Sequence, residues 1–480
     1  MKNKSIHEIV DRYESNDLIQ NCIVQFQKDK LSKIHVKGQS GSSISFLVSQ
    51  LLSQSGNPVL MILDDKEEAA YLLNELETIF KKDEILFLPG SYRRPYEIEA
   101  TNNANVVLRT EILNTLNAAR KPRCIITYAE GLFEKVVTRK VLSKNTLKIS
   151  VGDLLDMDFL NETLFEYEFH RVDFVTEPGE FSIRGGILDV FSYSDKEPFR
   201  ISLFGDEVES IRKFDLETQL SIEKVNHFTI VPNLENKYID EIRESFFDYI
   251  SDKTIIVAKN LQLILSNIHR NFQLAIENFE NLSGEIKHTS PHGLFLDENE
   301  FRAGLEKFPL IEFSIQNYFD DVISYELNQK PQPSFNKKFE LLAEEFNHRT
   351  EAGFTNYLFC SNEKQAERFV DIFEDISKEV EFTPIIGSIH KGFIDEDLKI
   401  VCFTDHEIFE RYHKYNLRNS FTKKEAITLK ELTSLQIGDY VTHIDHGIGK
   451  FAGLVKIDVQ GQKQEAIKLI YQNNDILYVS

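Results

Sequence analysis

A short glycine-containing segment between a predicted strand and a predicted helix constrains the fold of this chain most. Residues 34–36, I-H-V, predict a short buried strand, residues 46–52 predict an amphipathic helix, and residues 38–45 read G-Q-S-G-S-S-I-S. A phosphate-binding loop, G-x-x-x-x-G-K-[ST], uses its second glycine for close backbone approach to phosphate and its lysine for charge. Ser43 and Ile44 occupy those two positions. The segment predicts either a degenerate phosphate loop or an ordinary serine-rich turn in an α/β domain.

Serine at position 43 and isoleucine at position 44, in place of the glycine and lysine of the motif, affect whether the loop can hydrolyse a nucleotide. Isoleucine offers no charge to a triphosphate, so we expect the strand, turn and helix to persist without nucleotide hydrolysis. We predict an inactive loop and assign no catalytic residue. The residues of this degenerate loop are Gly38, Gly41, Ser42, Ser43, Ile44 and Ser45.

The composition narrows the class of protein. With 480 residues, 41% hydrophobic and 28% charged, the chain is expected to form roughly three to five globular domains. A formal net charge of −22 predicts weak non-specific binding to double-stranded DNA, whose phosphates attract concentrated Lys and Arg. No apolar run is long enough to span a membrane, and the first residues contain no apolar signal segment. We predict a cytoplasmic monomer with no membrane partner.

Neither the histidines nor the cysteines predict a metal site. The His-x-Asp-His pattern at residues 443–446 lies in a glycine-rich turn and lacks the convergent ligands of a closed site. The cysteines are scattered without C-x-x-C spacing, which favours reduced, buried thiols over disulfides or zinc. They are Cys22, Cys124, Cys360 and Cys402.

The pattern of strands and helices changes along the chain. Over the first 130 residues strand and helix signals alternate, which indicates a parallel sheet with crossover helices. From about residue 146, short alternating strands with Gly and Pro between them indicate a small α+β insertion with an antiparallel sheet. Residues 328–334 contain two prolines and predict a turn or linker, and residues 421–425 predict a second linker. Residues 438–479 carry glycines between β-rich runs, which is typical of a small barrel.

Two sequence blocks resemble known families. Residues 177–191, E-P-G-E-F-S-I-R-G-G-I-L-D-V-F, together with residues 204–219, are similar to the second domain of the excision-repair protein UvrB. Residues 435–454, L-Q-I-G-D-Y-V-T-H-I-D-H-G-I-G-K-F-A-G-L, are similar to the RNA-polymerase-interacting domain shared with CarD-type regulators. In this order the two blocks resemble the family of bacterial transcription-repair coupling factors, over essentially the whole chain.

The resemblance implies an α/β multidomain fold. Its segments are a UvrB-like α/β domain with the degenerate phosphate loop at 1–131, an inserted α+β domain similar to UvrB domain 2 at 132–225, the second part of the UvrB-like domain at 226–335, a small α/β linking domain at 336–425, and an incomplete CarD-like, SH3/Tudor-like β-barrel at 426–480.

The family resemblance also implies partners. Members bind the RNA polymerase β subunit, recruit UvrA, and act as ATP-dependent DNA translocases that displace stalled polymerase. Their motor domains, which use ATP and magnesium and engage double-stranded DNA, lie beyond the polymerase-interacting domain. Because the chain ends within that domain, we expect a non-catalytic recruitment fragment that needs no cofactor. Residues 93–105 are too short a span for the damage-probing hairpin of UvrB, so damage verification is also expected to be absent.

The resemblance places the UvrA-binding surface on two arginines, Arg171 and Arg184. Guanidinium groups suit such a surface because they pair with carboxylates through two hydrogen bonds. The alternative is an intramolecular pair with a nearby acid, Asp173, Glu180 or Asp189. Phe181 and Phe191 lie in the same block, and the alternation of the strands predicts that both are core residues.

The resemblance places the polymerase-binding surface on the predicted strand 454–459. We expect this strand to pair with a strand of the polymerase β subunit, with Val455, Lys456 and Ile457 as the contact residues and Ile457 as the apolar anchor. The alternative is an ordinary core strand, because apolar strand residues are usually buried.

Several acidic clusters invite other interpretations. Asp405-His406-Glu407 follows a predicted strand without a nucleophile or intact phosphate loop, so we predict a helix cap. The acidic stretches near Asp64 and Asp297 are interpreted as solvated surface.

Two further functions remain open at this point. The chain could be an active UvrB-like, nucleotide-dependent repair helicase whose loop tolerates Ile44. It could also be a stand-alone CarD-like transcription regulator without contact to UvrA.

Overall fold

The computed structural model describes residues 5–82, 84–91, 95–96, 103–117, 123–216, 218–233, 242–282, 289–376, 379–411, 438–443, 447–459, 462–471 and 475–479. The chain forms two compact units, Met1–Phe421 and Thr422–Ser480. Among the described residues, no helix has both the length and the apolar character needed to cross a lipid bilayer.

All helices in the described part of the chain lie in the first unit. Numbered in chain order they are α1 (His7–Tyr13), α2 (Asp17–Lys28), α3 (Ser43–Ser55), α4 (Lys66–Ile79), α5 (Asn103–Asn117), α6 (Ala129–Phe133), α7 (Arg139–Lys144), α8 (Met157–Glu166), α9 (Phe246–Tyr249), α10 (Leu261–Glu280), α11 (Pro291–Leu294), α12 (Glu298–Glu306), α13 (Phe339–Glu351), α14 (Glu363–Asp375) and α15 (Asp405–Ile408).

A seven-stranded, wholly parallel sheet forms the centre of the first unit. With strands also numbered in chain order, its order is β17-β1-β16-β15-β2-β4-β3. Residues on alternate sides of each strand enter two different cores, as the pleat requires. The strands are β1 (Lys33–Lys37), β2 (Val59–Leu63), β3 (Ile85–Leu88), β4 (Cys124–Tyr128), β15 (Ile255–Lys259), β16 (Leu310–Phe313) and β17 (Ile323–Glu326).

Between β4 and β15 the chain forms a six-stranded sheet of order β12-β11-β10-β9-β8-β7. Its pairs are antiparallel except β7 with β8. The strands are β7 (His170–Arg171), β8 (Glu180–Arg184), β9 (Ile187–Val190), β10 (Phe199–Phe204), β11 (Glu207–Phe214) and β12 (Ser221–Val225). Two short antiparallel pairs flank it, β6 (Leu147–Ser150) with β13 (His227–Ile230) and β5 (Val136–Val137) with β14 (Arg243–Glu244).

A five-stranded sheet of order β18-β21-β22-β19-β20 follows. Its strands are β18 (Gln329–Pro331), β19 (Thr355–Cys360), β20 (Thr383–Ile386), β21 (Phe393–Asp395) and β22 (Ile400–Thr404). The predicted turn or linker at residues 328–334 is wrong, because β18 pairs antiparallel with β21. Pro331 is tolerated because β18 is an edge strand, where a missing N–H costs no ladder hydrogen bond.

The second unit contains a four-stranded antiparallel sheet of order β23-β24-β25-β26. The strands are β23 (Tyr440–His443), β24 (Gly447–Val459), β25 (Gln462–Ile470) and β26 (Ile476–Val479). The predicted linker at residues 421–425 lies outside the described residues. The α/β class, with one parallel sheet and several smaller sheets, is confirmed, whereas the C-terminal barrel stays a prediction.

One core continues from the parallel sheet into the five-stranded sheet. The residues between β1, β2 and helix α3 pack in the same cluster as Tyr357, Phe359 and Phe393. The four cysteines are free and buried, as predicted. Burial raises the pKa of the Cys22 thiol to about 12, which keeps it protonated and unreactive.

Candidate functional site

The degenerate loop joins β1 to α3 at the carboxyl edge of the parallel sheet, where α/β proteins bind ligands. Its two glycines have positive φ angles, +77° at Gly38 and +53° at Gly41. A Cβ added to Gly38 would overlap the carbonyl oxygen of Leu327, and one added to Gly41 would lie 2.6 Å from the carbonyl oxygen of Gly392. Because glycine has no Cβ, the carbonyl groups of Leu327 and Gly392 can approach the loop closely at these two positions.

Two backbone N–H groups of the loop donate to the region of the five-stranded sheet. The Ser42 N–H donates to the carbonyl oxygen of Lys391 at 2.9 Å, and the Lys391 N–H donates back to Ser42 Oγ at 3.0 Å. The Ser40 N–H donates to Oε1 of Gln329 at 3.1 Å. Two backbone donors of the loop are thus used by the region of the five-stranded sheet rather than left for a phosphate.

A buried carboxylate completes this contact. Glu75 of α4 accepts hydrogen bonds from Ser42 Oγ at 2.6 Å, from Ser45 Oγ, and from the backbone N–H of His390 at 2.6 Å. Burial raises the pKa of Glu75, and these three hydrogen bonds oppose that rise. A carboxylate in this position disfavours an incoming phosphate by charge repulsion.

Gln329 links the loop to a second buried group. Its Oε1 accepts from Ser43 Oγ at 2.6 Å, and its Nε2 donates to Asp395 Oδ2 at 2.7 Å. Tyr13 of α1 donates to the same Asp395 oxygen at 2.9 Å. We call the loop, Glu75, Gln329 and residues 390–392 the loop socket.

Sequence reasoning missed Glu75 and Gln329. Glu75 had a signal, because it lies three residues after Leu72 and hence on the apolar face of α4. Gln329 had none, because its loop partners Ser40 and Ser43 lie nearly 300 residues away in sequence.

Among the described residues that line the cleft beside the loop, Asp64 is the only acid. This cleft of about 500 Å³ opens at the carboxyl edge of the sheet, lined by Gly38, Asp64, Lys259 and Asn260 among others. At the same edge β15 ends at Lys259, which pairs with Glu68 at 2.5 Å. A neighbouring cavity of about 210 Å³ is lined by Glu68 and Glu75 as well as Lys259 and Lys391, so its charges balance.

The interpretation of the Asp64 stretch as solvated surface is wrong for Asp64 itself. This residue follows β2 and is half-buried, and its Oδ1 is a buried atom without a hydrogen-bond partner among the described residues. Burial raises the pKa of Asp64 to about 6, partly offset by the charge of Lys259. Asp65 next to it is exposed and caps α4 by accepting from the Glu68 N–H.

Replacing Asp64 by asparagine is expected to change how stability depends on pH. Because the folded-state pKa is raised, native Asp64 keeps a proton that the unfolded chain has released, so stability falls as pH rises from about 4 to about 6. We expect Asp64→Asn to match the wild type near pH 4 and to exceed its free energy of unfolding by about 1 kcal/mol at pH 7.5, discounted for partial exposure. Urea unfolding at both pH values measures this, with the exposed Asp252→Asn as control. A pH-independent difference would contradict it.

The two predicted UvrA-binding arginines differ in their surroundings. Arg171 lies exposed on the edge strand β7 and makes no side-chain hydrogen bond or ion pair with the part of the chain that is described. Arg184 ends β8 and pairs with Asp189 of β9 at 2.5 Å, while its side chain stays 42% exposed. In register Arg171 is opposite Phe181 and Arg184 is opposite Ile187, so the pleat directs the arginines to opposite faces of the sheet edge.

The core assignments in this block are confirmed. Phe181 and Phe191 are both fully buried. Phe181 packs in the main core of the inserted region, and Phe191 in a separate small cluster with Val175 and Phe214.

The predicted polymerase-binding residues lie in the second half of β24. Residues 447–450 pair with β23, and the strand pairs with β25 through Val459. Val455, Lys456 and Ile457 are opposite Ala466, Glu465 and Gln464 of β25. On its other side this half of β24 has no partner strand among the residues described in the second unit. The side chains of Lys456 and Ile457 lie outside the described set.

The other acidic clusters have structural partners. The cluster Asp405-His406-Glu407, predicted as a helix cap, forms the first turn of α15, and the N-cap is the preceding residue Thr404. Asp297 caps α12 in a capping box with Glu300 and stays partly exposed, so this surface acid also has a structural role. His292, Asp297 and Glu300 are close enough to hold a metal ion, yet Lys135 already pairs with Glu300 at 2.8 Å. Residues 444–446 lie outside the described residues.

Two family models match the chain. The UvrB interaction domain matches residues 147–236, and the CarD-like/TRCF RID domain matches residues 435–480. Among curated proteins, the transcription-repair-coupling factor of Bacillus subtilis is 24% identical over 97% of this chain and 46% of its own length. The factor of Haemophilus influenzae is 25% identical over 90% of this chain and 43% of its own length. The factor of Staphylococcus aureus strain USA300 is 24% identical over 92% of this chain and 44% of its own length.

The fold and these matches define a class: a UvrB-like module on a parallel α/β sheet, followed by a CarD-like domain. The resemblance that the sequence blocks indicate is confirmed: the chain is similar to the N-terminal portion of the bacterial transcription-repair-coupling factors. The chain spans less than half the length of these relatives.

Proposed function

We propose that this chain is the recruitment module of a transcription-coupled DNA repair factor in the cytoplasm. It binds UvrA through the six-stranded-sheet region and the RNA polymerase β subunit through the CarD-like region. The observation that carries the proposal is the presence of both interaction domains in one chain. In this proposal the complete protein is an ATP-dependent DNA translocase. Its motor domains, which are not part of these 480 residues, act on DNA and displace stalled polymerase.

The exposed surface around Arg184 supports the proposed UvrA contact. The guanidinium carbon of Arg184 lies 5.1 Å from the ring centroid of Phe174, and the Phe174 side chain is 61% exposed. Arginine and aromatic residues dominate the binding energy of protein interfaces, and an exposed phenylalanine gains from burial against a partner. Arg171, on the other face of the same edge, would contact a different part of the partner.

The open side of β24 supports the proposed polymerase contact. An unpaired strand edge offers a row of backbone N–H and C=O groups to an incoming strand. Strand addition at residues 454–459 would extend the four-stranded sheet by the polymerase strand, next to β24. The outer edge of β26 is a second open edge in the described sheet, with Ile476 half-exposed.

The loop socket supports a module that neither binds nor hydrolyses nucleotide. The carbonyl oxygen of Lys391 and the side chain of Gln329 accept from two backbone N–H groups and one serine hydroxyl of the loop, and Ile44 is buried where a lysine would face phosphate. We propose that ATP and magnesium act only in the motor domains of the complete protein. The alternative, a nucleotide-dependent repair helicase, requires ATP to displace the socket residues. It therefore predicts that the chain alone binds ATP.

A pull-down with two separate variants tests the two contacts. Arg184→Glu is expected to weaken retention by UvrA at least tenfold and to spare the polymerase β subunit, because a charged interface anchor is reversed. Ile457→Arg is expected to do the opposite. Arg302→Glu on α12 and Ile476→Arg on β26 are matched controls that should leave both partners bound. If Arg184→Glu changes neither affinity, the UvrA surface is wrong; if Ile476→Arg rather than Ile457→Arg releases polymerase, the strand is β26.

A further inference from the structure

A single buried carboxylate underlies the exposed arginine surface. Asp189 in the middle of β9 is 1% exposed, and in register it lies between Ser182 of β8 and Arg200 of β10. Its Oδ1 accepts from Arg200 Nε at 2.7 Å, and its Oδ2 accepts from Arg200 Nη2 at 2.9 Å and from Arg184 Nη2 at 2.5 Å. Both oxygens are therefore used by guanidinium groups.

Arg200 is the fixed member of this group. Its Nη1 donates to the carbonyl oxygen of Gln219 at 3.1 Å, and its guanidinium carbon lies 4.5 Å from the ring centroid of the buried Phe214. The hydrogen bond to Asp189 raises the pKa of Arg200. With its side chain only 21% exposed, Arg200 holds Asp189 in place rather than facing a partner.

Arg184 is the member of this group that is exposed and can contact a partner. Asp189 binds it at one corner, Nη2, and the Phe174 ring lies against the guanidinium group. A guanidinium has five N–H donors in a rigid fork, and within the described residues Arg184 uses one. The remaining donors can pair with a carboxylate in two hydrogen bonds without breaking the bond to Asp189.

The charges of the group match an acidic partner. Two guanidinium groups share one carboxylate, which leaves one net positive charge at an exposed position of a chain whose formal net charge is −22. Phe174 adds an exposed aromatic surface beside that charge. Such a surface fits a carboxylate side chain flanked by an apolar residue.

We propose that Asp189 is a positioning residue that holds Arg184 in the orientation in which it meets a carboxylate of the partner. The inference rests on the proposed UvrA contact and adds that the intramolecular pair and the interface are parts of one arrangement. Without Asp189, the long Arg184 side chain would have to be ordered at the moment of binding, and it would be repelled by Arg200.

A double-mutant cycle on the full chain, measured by isothermal titration with UvrA, tests the proposal. Asp189→Asn is expected to weaken binding about tenfold, the cost of ordering a long side chain and losing charge pairing. Arg184→Gln should weaken binding at least as much. Asp189→Asn added to Arg184→Gln should then cause little further loss, a result that a general structural role of Asp189 would not produce. Asp206→Asn on the exposed β10–β11 turn is the control and should bind as the wild type.

Each outcome decides between the claims. If Arg184→Gln weakens binding and Asp189→Asn does not, Asp189 has no positioning role and the UvrA contact stands. If neither weakens binding, the contact itself fails, and the inference fails with it. Should Asp189→Asn lower the melting temperature of the chain, Arg200→Lys, which retains the charge beside Asp189, provides the second test. It should weaken binding less than Arg184→Gln, and a loss as large or larger would overturn the assignment of Arg184 as the presented residue.

Discussion

Replacing Glu75 by leucine is expected to lower the free energy of unfolding by about 3 to 5 kcal/mol. The carboxylate accepts from two serine hydroxyls and one backbone N–H inside the protein, and its loss leaves all three donors unsatisfied. A buried donor without an acceptor costs about 1 to 3 kcal/mol, so the sum exceeds the gain from a better-buried apolar side chain. Urea unfolding followed by circular dichroism measures the effect.

Two variants on the same helix calibrate this result. Glu75→Gln keeps the shape and one acceptor oxygen, so we expect a smaller loss of about 1 to 2 kcal/mol. Glu67→Leu makes the same replacement at an exposed position of α4, where one long hydrogen bond from the Tyr71 hydroxyl is lost, and should change stability by no more than about 1 kcal/mol. Hydrogen exchange should locate the loss in Glu75→Leu at residues 390–392. If Glu75→Leu is no more destabilising than Glu67→Leu, Glu75 does not hold the loop socket together.

Gly41→Ala is expected to destabilise the protein by about 3 kcal/mol or more. An alanine at φ +53° costs about 1 to 2 kcal/mol of backbone strain. Its methyl group would also lie 2.6 Å and 2.9 Å from the carbonyl oxygens of Gly392 and Lys391, so backbone must move. The loss of the Ser42–Lys391 hydrogen bonds would follow from that movement.

Gly56 offers a matched control for the strain alone. It has a similar φ of +64° at the end of α3, and an added Cβ would meet nothing within 4 Å. Gly56→Ala should therefore cost only about 1 to 2 kcal/mol. Equal losses in the two variants would mean that close backbone approach at Gly41 contributes nothing, and that this glycine is retained for its conformation.

Local patterns predicted the elements that surround the loop. The strand, the glycine turn and the helix at residues 33–55 follow from short-range periodicity and from glycine's access to positive φ. The strands of the six-stranded sheet and the burial of Phe181 and Phe191 follow from period-two alternation.

Contacts between distant segments could not be predicted in this way. The two prolines at residues 331 and 333 indicated a turn. The strand there could not be predicted, because its partner strand β21 lies about 60 residues later in the sequence. The loop socket depends on Gln329 and Lys391, and no pattern near Gly38 reports them. The Arg184–Asp189 pair was among the sequence alternatives, but its bond to Arg200 depends on the register of β9 with β10.

The loop socket gives the degenerate loop a structural role in the first unit. Its glycines and serines join the parallel sheet to the five-stranded sheet, and a continuous core lies beneath them. A fold of the nucleotide-binding type can in this way keep its loop for packing, while its surfaces serve recruitment.

The central claim is that this chain binds UvrA and RNA polymerase without using nucleotide. Sedimentation of the chain with UvrA and the polymerase β subunit, with and without ATP and magnesium, tests it most directly. To keep UvrA's own response to nucleotide separate, the chain is also titrated alone with ATP. The account predicts one complex that contains all three proteins, and no ATP binding by the chain tighter than about 100 μM, a free energy of about −5.5 kcal/mol. Failure to bind either protein, or tighter binding of ATP, would contradict it.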